Sequence, residues 1–370
     1  MIEKNKYGIA KWRIDSEEER SLACLADESL EGKSAYVEYY RVNDSEYFNG
    51  GLPMIEHTLK HYGVTVKGDE RREIFEDMIY SLHRFGFSFE EYFQYKLQEK
   101  NAIERSEFVS DKKRHEYYAT FNTLEGKRLL NNKATALERL RSCVGRDFMF
   151  ISARGGVLQR DEIDKFLTEH GDVIVKPVSE SCGRGVFLVK KGEMDTDTLL
   201  ANISSSDVVI EEFIYQSSEM ASFHSKSVNT VRMICFACGD GKHFIQPIFR
   251  TGKGLSVVDN TGAGGIFASV NLESGIVSSD GIDGTLNVYE KHPDTGVKYQ
   301  GFELPDWNGA LHYVDDLMAL VPECRCVGWD LAHTDDGWVV VEGNPFPQLG
   351  IQMITGVGLK AEFEKYISLL

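Results

Sequence analysis

The chain has 370 residues, of which 42% are hydrophobic and 27% are charged, a composition typical of a globular protein with more than one core. Its net charge of −17 argues against non-specific binding to nucleic acids or anionic membranes, although a local pocket can still be basic. No apolar run approaches the roughly 18 residues that a membrane span needs, and the first residues lack the apolar core of a secretory signal.

Residues 1–125 are predicted to be mainly helical. Ser16 precedes three glutamates, which is typical of a capped helix start. Apolar residues then repeat at helical spacing, namely Ile74, Met78, Ile79 and Leu82. No glycine-rich dinucleotide fingerprint occurs in this region, and a further helix is predicted at 133–141.

From Phe148 the pattern changes to short strands separated by helices and hairpins. The predicted strands are 173–176, 186–190, 208–211, 228–237, 244–250 and 266–272. Asp240-Gly241 predicts a hairpin turn. Residues 278–308 are rich in Gly, Asp and Pro and are predicted to run over the surface. Helices are predicted again at 314–320 and 359–370.

The seven cysteines are odd in number and irregularly spaced, so we expect free thiols and a cytoplasmic protein. Cys235-x-x-Cys238 and Cys324-x-Cys326 can be combined into a zinc site. However, Cys235 and Cys238 lie three residues apart in a predicted strand, where they point to opposite faces. Small buried hydrophobic side chains are therefore the favoured interpretation.

Two carboxylates meet in a predicted hairpin at 327–344, which turns at Asp335-Asp336-Gly337. If the hairpin is symmetric about this turn, Asp330 faces Glu342 and Asn344 shares their face. Facing carboxylates repel each other unless a cation lies between them. Oxygen ligands of this kind suit Mg²⁺, whereas the alternative is an exposed acidic hairpin.

A second group of polar residues follows the predicted strand that ends in Lys176-Pro177. The loop 179–185 is rich in Ser and Gly, so its backbone N–H groups can fold over phosphate oxygens, although a plain mobile turn is equally consistent. Lys176 is placed to reach the same phosphates. Further along, the strand 208–214 can bind adenine through its backbone, and the alternative is a strand-to-helix junction with exposed glutamates.

The order of these elements over residues 126–360 resembles the ATP-grasp superfamily. Ser-Val-Asn-Thr-Val-Arg at 227–232, Asp259-Asn260 and Gly264-Gly265-Ile266 are similar to its sugar-transfer-associated branch, which is related to glutamate ligases. The resemblance implies an α+β ATP-grasp fold, in which two subdomains grip ATP between antiparallel sheets. The implied division is a mainly helical N-terminal region (1–125), a lid subdomain (126–207) and a subdomain with the metal and acceptor sites (208–370).

The N-terminal region departs from the usual superfamily plan, so the acceptor site of other ligases cannot be transferred. The resemblance implies the following nucleotide and metal roles: Lys133 and Lys176 for the α- and β-phosphates; Ser181, Gly183 and Gly185 for the flap; Glu211, Glu212, Phe213 and Ile214 for the adenine hinge; Glu219 for ribose; Asp330, Glu342 and Asn344 for two Mg²⁺ ions, with Glu342 bridging. The implied substrate contacts are Asn229, Asp259, Asn260, Gly264 and Gly265.

Two arginines are candidate catalytic residues. In a regular hairpin about Asp240-Gly241, Val231 pairs with Arg250, so that Arg250 shares a face with Asn229 and Arg232 lies opposite. A bulge would reverse this arrangement. Arg250 could stabilise charge on the transferring phosphoryl group or on a tetrahedral intermediate, a contact worth roughly 3 kcal/mol in the transition state. Arg232 resembles the arginine of the Asn-Thr-Val-Arg motif, and the alternative is that one of the two arginines pairs with a structural acid.

The resemblance implies an ATP- and Mg²⁺-dependent carboxylate–amine ligase that forms an acyl phosphate, with a sugar acid or amino acid of surface-polysaccharide metabolism as substrate. A kinase that phosphorylates a hydroxyl could use the same ATP site, with Asp259 or His224 as base. His333 is expected to face away from the metal ligands. A non-catalytic nucleotide-binding module is a third interpretation, against which the intact lysine and ligand set argues. We expect a small-molecule partner and no nucleic acid, and the oligomeric state is left open.

Overall fold

A computed structural model describes residues 16–153, 159–180, 183–203, 206–254 and 264–370. The chain forms two compact units, one of residues up to Thr120 together with Gln348–Leu370, and one of Phe121–Pro347. Among the described helices, none is long and apolar enough to span a membrane. The expected α+β class, with antiparallel sheets and a mainly helical N-terminal region, is confirmed. The three-part division at 125 and 207 stays a prediction.

The helices of the described residues cover most of the first unit and flank the strands of the second. In chain order they are α1 (Glu17–Glu28), α2 (Leu30–Asn43), α3 (Ser45–His61), α4 (Gly68–Phe85), α5 (Phe89–Gln94), α6 (Ala102–Ser106), α7 (Asp111–Phe121), α8 (Leu124–Asn131), α9 (Lys133–Arg139), α10 (Arg160–Glu169), α11 (Thr196–Asn202), α12 (Ser218–Ala221), α13 (Trp307–Leu320), α14 (Ile351–Thr355) and α15 (Lys360–Ser368).

Local sequence explains where several helices begin and end. The Ser16 hydroxyl accepts the N–H of Glu19 at 2.9 Å, so the predicted capped start of α1 is confirmed. Gly86 ends α4 in the left-handed conformation, with φ of 82°. The core of this unit contains a buried ion pair, in which Asp77 binds Arg105 at 2.7 Å.

The strands form two antiparallel sheets in the second unit. They are β1 (Phe148–Ile151), β2 (Val173–Pro177), β3 (Phe187–Val189), β4 (Val208–Glu212), β5 (Thr230–Cys238), β6 (Gly241–Thr251), β7 (Ile266–Ser269), β8 (Gly281–Asp283), β9 (Val288–Tyr289), β10 (Cys326–Thr334) and β11 (Gly337–Asn344). The four-stranded sheet has the order β1-β4-β2-β3, and the seven-stranded sheet has the order β11-β10-β5-β6-β7-β8-β9. All the strands predicted from the sequence are present, with ends shifted by a few residues.

One predicted segment contains more regular structure than expected. Residues 278–308, predicted as a surface excursion, consist mostly of turns and bends, but they also add β8 and β9 to the edge of the large sheet. Gly281 is what permits this pairing, because a Cβ there would lie 2.5 Å from Ile266 Cγ2. A glycine in such a segment can therefore mark a close approach of strands as well as a loop.

Each sheet has its own core. The large sheet packs against α13, and Val314, Leu317 and Trp329 are fully buried there. The small sheet packs against α10 and α11 through residues such as Ile163 and Leu199. Cys235, Cys324 and Cys326 are buried as small hydrophobic side chains, as expected, whereas Cys238 is only half-buried.

Candidate functional site

Asp330 and Glu342 face each other across the β10–β11 hairpin, and the predicted pairing is confirmed. A regular ladder from the turn would instead place Val341 opposite Asp330. The register shifts between Asp330 and Leu331, so Val341 is an extra residue in β11 and Glu342 becomes the partner. Asn344 follows two residues later on the same strand face. The bulge thus brings two carboxylates and an amide together.

Asp330 is the inner member of this group, with 3% of its surface exposed. Arg232 Nε donates to its Oδ1 at 2.7 Å, and Arg232 Nη2 and Arg250 Nη1 donate to its Oδ2 at 2.6 and 2.7 Å. Burial acts to raise the pKa of Asp330, but the two guanidinium charges outweigh it and hold that pKa at about 2. A carboxylate has about four acceptor positions, so one remains for a cation.

The shared partner of the two arginines corrects a prediction. The turn consists of residues 239 and 240, and a bulge lies between Arg232 and Ile234, so Arg250 pairs with Thr230. The regular hairpin that would pair Val231 with Arg250 is therefore wrong. Because of the bulge, Arg250 shares a face with Arg232, and both reach Asp330.

Glu342 is the outer, exposed member of the group. The pKa of Glu342 is raised for two reasons. Protein surrounds the inner side of its carboxylate, which is the larger effect, and Asp330 carries a negative charge opposite it. A divalent cation would relieve this repulsion. Asn344 Oδ1 accepts the N–H of Phe346 at 2.9 Å, which orients the amide. Two carboxylates and an amide oxygen are hard ligands, so these residues fit Mg²⁺.

A second charged cluster links the small sheet to the large one. Lys176 Nζ lies 2.8 Å from Glu211 Oε1, and Arg146 Nε donates to Glu211 Oε2 at 2.8 Å. Burial acts to raise the pKa of Glu211, but the charges of Lys176 and Arg146 lower it to about 2. Arg146 also donates to the carbonyl oxygen of Val340 at 2.7 Å. The Glu211 side chain, predicted for the adenine hinge, is therefore occupied in holding Lys176.

Arg146 was missed by the sequence reasoning. It stands alone before β1, far along the chain from both of its partners, and no local pattern identifies such a residue. Lys133, by contrast, lies where the sequence predicts it, at the first position of α9. Its Nζ donates to the carbonyl oxygen of Glu180. Burial lowers the pKa of Lys133, and the charge of nearby Glu342 opposes that change.

The predicted flap is the connection between β2 and β3. Ser181 lies outside the described residues, but Gly183 and Gly185 both have φ of +70°. A Cβ on Gly185 would also lie 2.8 Å from Pro177 Cγ. Glycine is therefore required at these positions for the backbone to turn. The exposed Arg184 side chain lies 3.4 Å from Glu180.

The predicted adenine hinge follows β4. The backbone N–H groups of Glu212 and Phe213 donate to Asp147 and Asp172 carbonyl oxygens at 2.9 and 3.0 Å, and Ile214 follows without sheet pairing. Glu219 lies exposed on the short helix α12, next to the Ser218 hydroxyl at 3.2 Å. The N–H groups of Glu212 and Phe213 are thus used within the protein, whereas Ile214 is half-buried and Glu219 is exposed. Nothing in the geometry singles out Glu219 as a ribose contact.

The predicted substrate residues are only partly brought together. Asn229 is fully buried, and its amide donates to Gln216, to the Met220 carbonyl and to the His224 carbonyl. It braces the start of β5, so its amide N–H groups are used within the protein. Asp259 and Asn260 lie outside the described residues. Gly264 has φ of +82° and precedes the buried Gly265 at the start of β7.

The two candidate histidines have structural contacts. His224 Nδ1 lies 2.9 Å from the Ser227 hydroxyl, and its Nε2 lies 3.3 Å from the Gly254 carbonyl oxygen. His333 packs edge-on against Trp338, with the ring centroids 5.1 Å apart. Neither ring is directed at the carboxylate pair by these contacts.

Comparison with known proteins gives one family. A family model described as sugar-transfer associated ATP-grasp matches residues 112–367. No curated protein sequence matches the chain at a significant level.

Several solved structures are similar at low identity. D-alanyl-alanine synthetase A from Vibrio cholerae is 11% identical, with a TM-score of 0.45 over 67% of this chain and 67% of that chain. The ATP-grasp ligase PsnB, complexed with a precursor variant, Mg and ADP, is 14% identical, with a TM-score of 0.42 over 67% of this chain and 61% of that chain. N5-carboxyaminoimidazole ribonucleotide synthetase is 11% identical, with a TM-score of 0.39 over 60% of this chain and 46% of that chain. The chain thus spans less than two thirds of the last two, and at these scores the likeness carries no functional information.

Proposed function

Because the chain belongs to the sugar-transfer associated ATP-grasp family, we propose that it is an ATP- and Mg²⁺-dependent ligase that joins a carboxylate to an amine. Membership over residues 112–367 confirms the resemblance and the ATP-grasp fold expected from the sequence. The activity, the substrates and the residue roles that follow are our proposal.

The observation that carries the proposal is the cluster around Asp330. A buried carboxylate holds two arginines, while the facing Glu342 stays exposed and carries a raised pKa. Lys133 approaches Glu342 closely enough for each charge to alter the pKa of the other. Cation ligands, guanidinium groups and a lysine on one patch suit the transfer of a phosphoryl group, whose catalysis is mostly positioning and charge neutralisation.

The nucleotide would lie between the two sheets of the second unit. Lys133 and Lys176 bind its α- and β-phosphates, and the flap with Ser181, Gly183 and Gly185 covers them. Glu211 fixes Lys176 by a 2.8 Å ion pair and so acts as a positioning residue. The backbone of Glu212 to Ile214 borders the adenine, with Glu219 as the ribose contact.

The metal site consists of Asp330, Glu342 and Asn344. Bound there, Mg²⁺ would supply charge neutralisation for the β- and γ-phosphates. Exposed Glu342 would hold the ions together with the one remaining acceptor position of Asp330. Asn344 is oriented by Phe346 and completes the oxygen ligands.

The reaction has two steps. A carboxylate oxygen attacks the γ-phosphorus of ATP, which forms an acyl phosphate and releases ADP. An amine then attacks the acyl carbon, phosphate leaves and the amide nitrogen loses a proton. Arg232 and Arg250 stabilise the negative charge in these steps, each contact being worth roughly 3 kcal/mol in the transition state.

We propose a sugar acid or an amino acid as the carboxylate substrate and a role in surface-polysaccharide metabolism in the cytoplasm. The family description, which associates these proteins with sugar transfer, supports this part of the proposal. The substrate contacts are Gly264 and Gly265 with Asp259 and Asn260. The oligomeric state does not enter the mechanism.

A kinase is the second candidate, because it would use the same ATP site and a hydroxyl acceptor. It requires a general base, and His224 is poorly suited, since both its ring nitrogens contact protein groups. Asp259 remains as the base in that case. A non-catalytic nucleotide-binding module is disfavoured because the cation ligands and both lysines are present together.

A screen of carboxylates and amines with Mg-ATP tests the proposal, with ³¹P NMR as the readout. Phosphate release that requires both a carboxylate and an amine is the expected result. A new phosphomonoester signal without an amine would instead establish a kinase. No ATP turnover with any pair, together with no binding of Mg-ATP by calorimetry, would contradict a nucleotide-dependent enzyme.

A further inference from the structure

The turn between β5 and β6 gathers three metal-ligating side chains. Cys238 pairs with Gly241, and Phe236 pairs with His243. Residues that face each other share a sheet face with residues two positions away, so Cys238 and His243 project from the same face. Asp240 lies in the turn beside them. Of the two cysteines in the Cys-x-x-Cys pattern, only Cys238 therefore belongs to this group of metal-ligating side chains.

The distances within this cluster are short. The ligand atoms of Cys238, Asp240 and His243 all lie within 4.8 Å of one another, and this is the one such group of three found among the described residues. His243 Nε2 is 2.8 Å from Asp240 Oδ1. Lys242, between them in sequence, points to the other face, where its Nζ lies 2.7 Å from Asp315.

We infer that Cys238, Asp240 and His243 form a binding site for a borderline-soft divalent cation of the Zn²⁺ type. A thiolate sulfur, an imidazole nitrogen and a carboxylate oxygen are the ligands that Zn²⁺ takes, at about 2.0–2.3 Å. Mg²⁺ takes oxygen ligands, so the two cation sites of this chain select different metals. Three protein ligands leave a fourth position for water.

The site is accessible yet built into the sheet. The side chains of His243 and Asp240 are 23% and 50% exposed, and Cys238 is half-buried, so an ion can enter from solvent. Cys238 and His243 belong to neighbouring strands, and Asp240 belongs to the turn between them. A bound ion therefore cross-links the two strands and the turn at this end of the β5–β6 hairpin.

The site formed by Cys238, Asp240 and His243 is separate from the candidate active site. Cys238 lies six residues along β5 from Arg232, which at about 3.3 Å per residue is roughly 20 Å. The same two strands carry Arg232 and Arg250 at their other ends. The ion would thus stabilise the hairpin that positions both arginines, and this inference does not depend on the proposed ligase activity.

Co²⁺ is a suitable probe, because a thiolate ligand gives it a sulfur-to-cobalt absorption band in the near ultraviolet. The full-length chain is titrated with Co²⁺ in saturating Mg²⁺, which occupies the oxygen ligands around Glu342. We expect one equivalent of Co²⁺ to produce the band and one equivalent of Zn²⁺ to abolish it. Zn²⁺ is also expected to raise the melting temperature by mass action.

Three variants and a control assign the ligands. Cys238→Ser should abolish the band, whereas Cys24→Ser, which removes an exposed cysteine on α1, should keep it. His243→Gln and Asp240→Asn should each weaken Co²⁺ binding by more than the roughly 10- to 100-fold that loss of an outer-shell partner costs. The exposed turn residue Asp240 gives a variant that tests the site even if Cys238→Ser fails to fold.

The inference is overturned by any of three results. The first is no absorption band from the wild-type chain at equimolar Co²⁺, and the second is a band that survives Cys238→Ser. The third is wild-type affinity for Co²⁺ in both His243→Gln and Asp240→Asn. The third result would mean that Co²⁺ binds the Cys238 thiol alone, without His243 or Asp240 as ligands.

Discussion

Glu342 stands directly opposite Asp330 because Val341 forms a bulge in β11. The two carboxylates differ sharply: Asp330 is buried on two arginines, and Glu342 is exposed with a raised pKa. The pair therefore combines a fixed inner charge with an outer charge that a cation would stabilise.

Glu342→Gln is expected to abolish turnover while the fold survives. The change removes a charge that repels Asp330, so the free energy of unfolding at neutral pH should stay the same or rise. Loss of a bridging ligand removes several kcal/mol of transition-state stabilisation, so kcat should fall by roughly a thousandfold or more. Steady-state kinetics and urea unfolding measure the two effects. Asp335→Asn, in the turn of the same hairpin, is the matched control and should keep activity. Near wild-type kcat for Glu342→Gln would exclude the bridging role.

The buried carboxylates predict a loss of stability in acid. The pKa of Asp330 is about 2 against an ordinary 3.8, and that of Glu211 is about 2 against 4.5. Both pKa values are lower in the folded state, so their contributions are complete above about pH 4.5 and are lost as the pH falls toward 2. A difference of about two pKa units corresponds to roughly 2–3 kcal/mol for each group. Urea unfolding across this pH range measures the loss.

Asp330→Asn separates this contribution from that of other acids. It should be less stable at neutral pH by about 3–5 kcal/mol, because buried Arg250 and partly buried Arg232 lose their charged partner. Its stability should also fall less steeply between pH 4 and 2 than that of the wild type. Asp197→Asn, which breaks an exposed ion pair with Arg160, should have little effect on either measurement. Equal slopes for the wild type and Asp330→Asn would contradict the low pKa of Asp330.

Lys176 and Arg146 share Glu211 but are expected to differ in function. Lys176→Met should raise the KM or Kd for ATP by roughly 10- to 100-fold, the value of one charged hydrogen bond. Each of Lys176→Met and Arg146→Met should lower the free energy of unfolding by about 1–3 kcal/mol, because Glu211 loses one of its two cations in either variant. The effect of Arg146→Met on ATP affinity should be smaller, since Arg146 also binds backbone at Val340. Calorimetry measures the affinity of each variant for Mg-ATP. Equal affinities of Lys176→Met and Arg146→Met would contradict a role of Lys176 in phosphate binding.

The flap predicts a change in catalysis rather than in folding. Gly183→Val and Gly185→Val place a β-branched side chain at φ of +70°, which distorts the loop over the phosphates. We expect kcat to fall by up to roughly 100-fold, with the larger loss for Gly185, whose Cβ would meet Pro177. Gly192→Val is the control, because it has φ of +76° and open space around it.

Hydrogen exchange provides a second test of the flap. Peptides that span 179–185 should become protected when Mg-ATP binds, since a closed flap excludes water from the γ-phosphate. Equal exchange with and without Mg-ATP, together with normal turnover of both glycine variants, would rule out a closing flap.

The fold and the metal-ligand hairpin could be predicted because their signals are local. Alternating apolar residues identify the strands, and a single hairpin turn fixes which residues face Asp330. Two differences from the assumed hairpin cancel each other. The turn is one residue shorter than a hairpin symmetric about Asp336 requires, and the extra residue Val341 restores Glu342 as the partner of Asp330. The β5–β6 hairpin had no such compensation, so the bulge at Arg232 reversed the predicted face of Arg250.

Long-range pairs were beyond local patterns. Arg146 and Glu211 are 65 positions apart, and their contact arises only when β1 pairs with β4. The motif places Glu211 at the adenine hinge, although its side chain binds two cations. The motif likewise places Asn229 at the substrate, while its amide braces the start of β5. A polar residue in a motif therefore indicates a site only when its own hydrogen bonds are left for a ligand.

Formation of an acyl phosphate distinguishes the proposed ligase from a kinase, and an isotope-transfer measurement detects it. The carboxylate substrate found in the screen is labelled with ¹⁸O and converted with Mg-ATP and the amine, and the released phosphate is examined by ³¹P NMR. Attack of the carboxylate on the γ-phosphorus followed by displacement by the amine leaves one ¹⁸O atom in each phosphate. We expect this isotope-shifted signal from the wild type and none from Glu342→Gln. Unlabelled phosphate from a productive reaction, or transfer of the phosphoryl group to a hydroxyl, would contradict the proposed ligase mechanism.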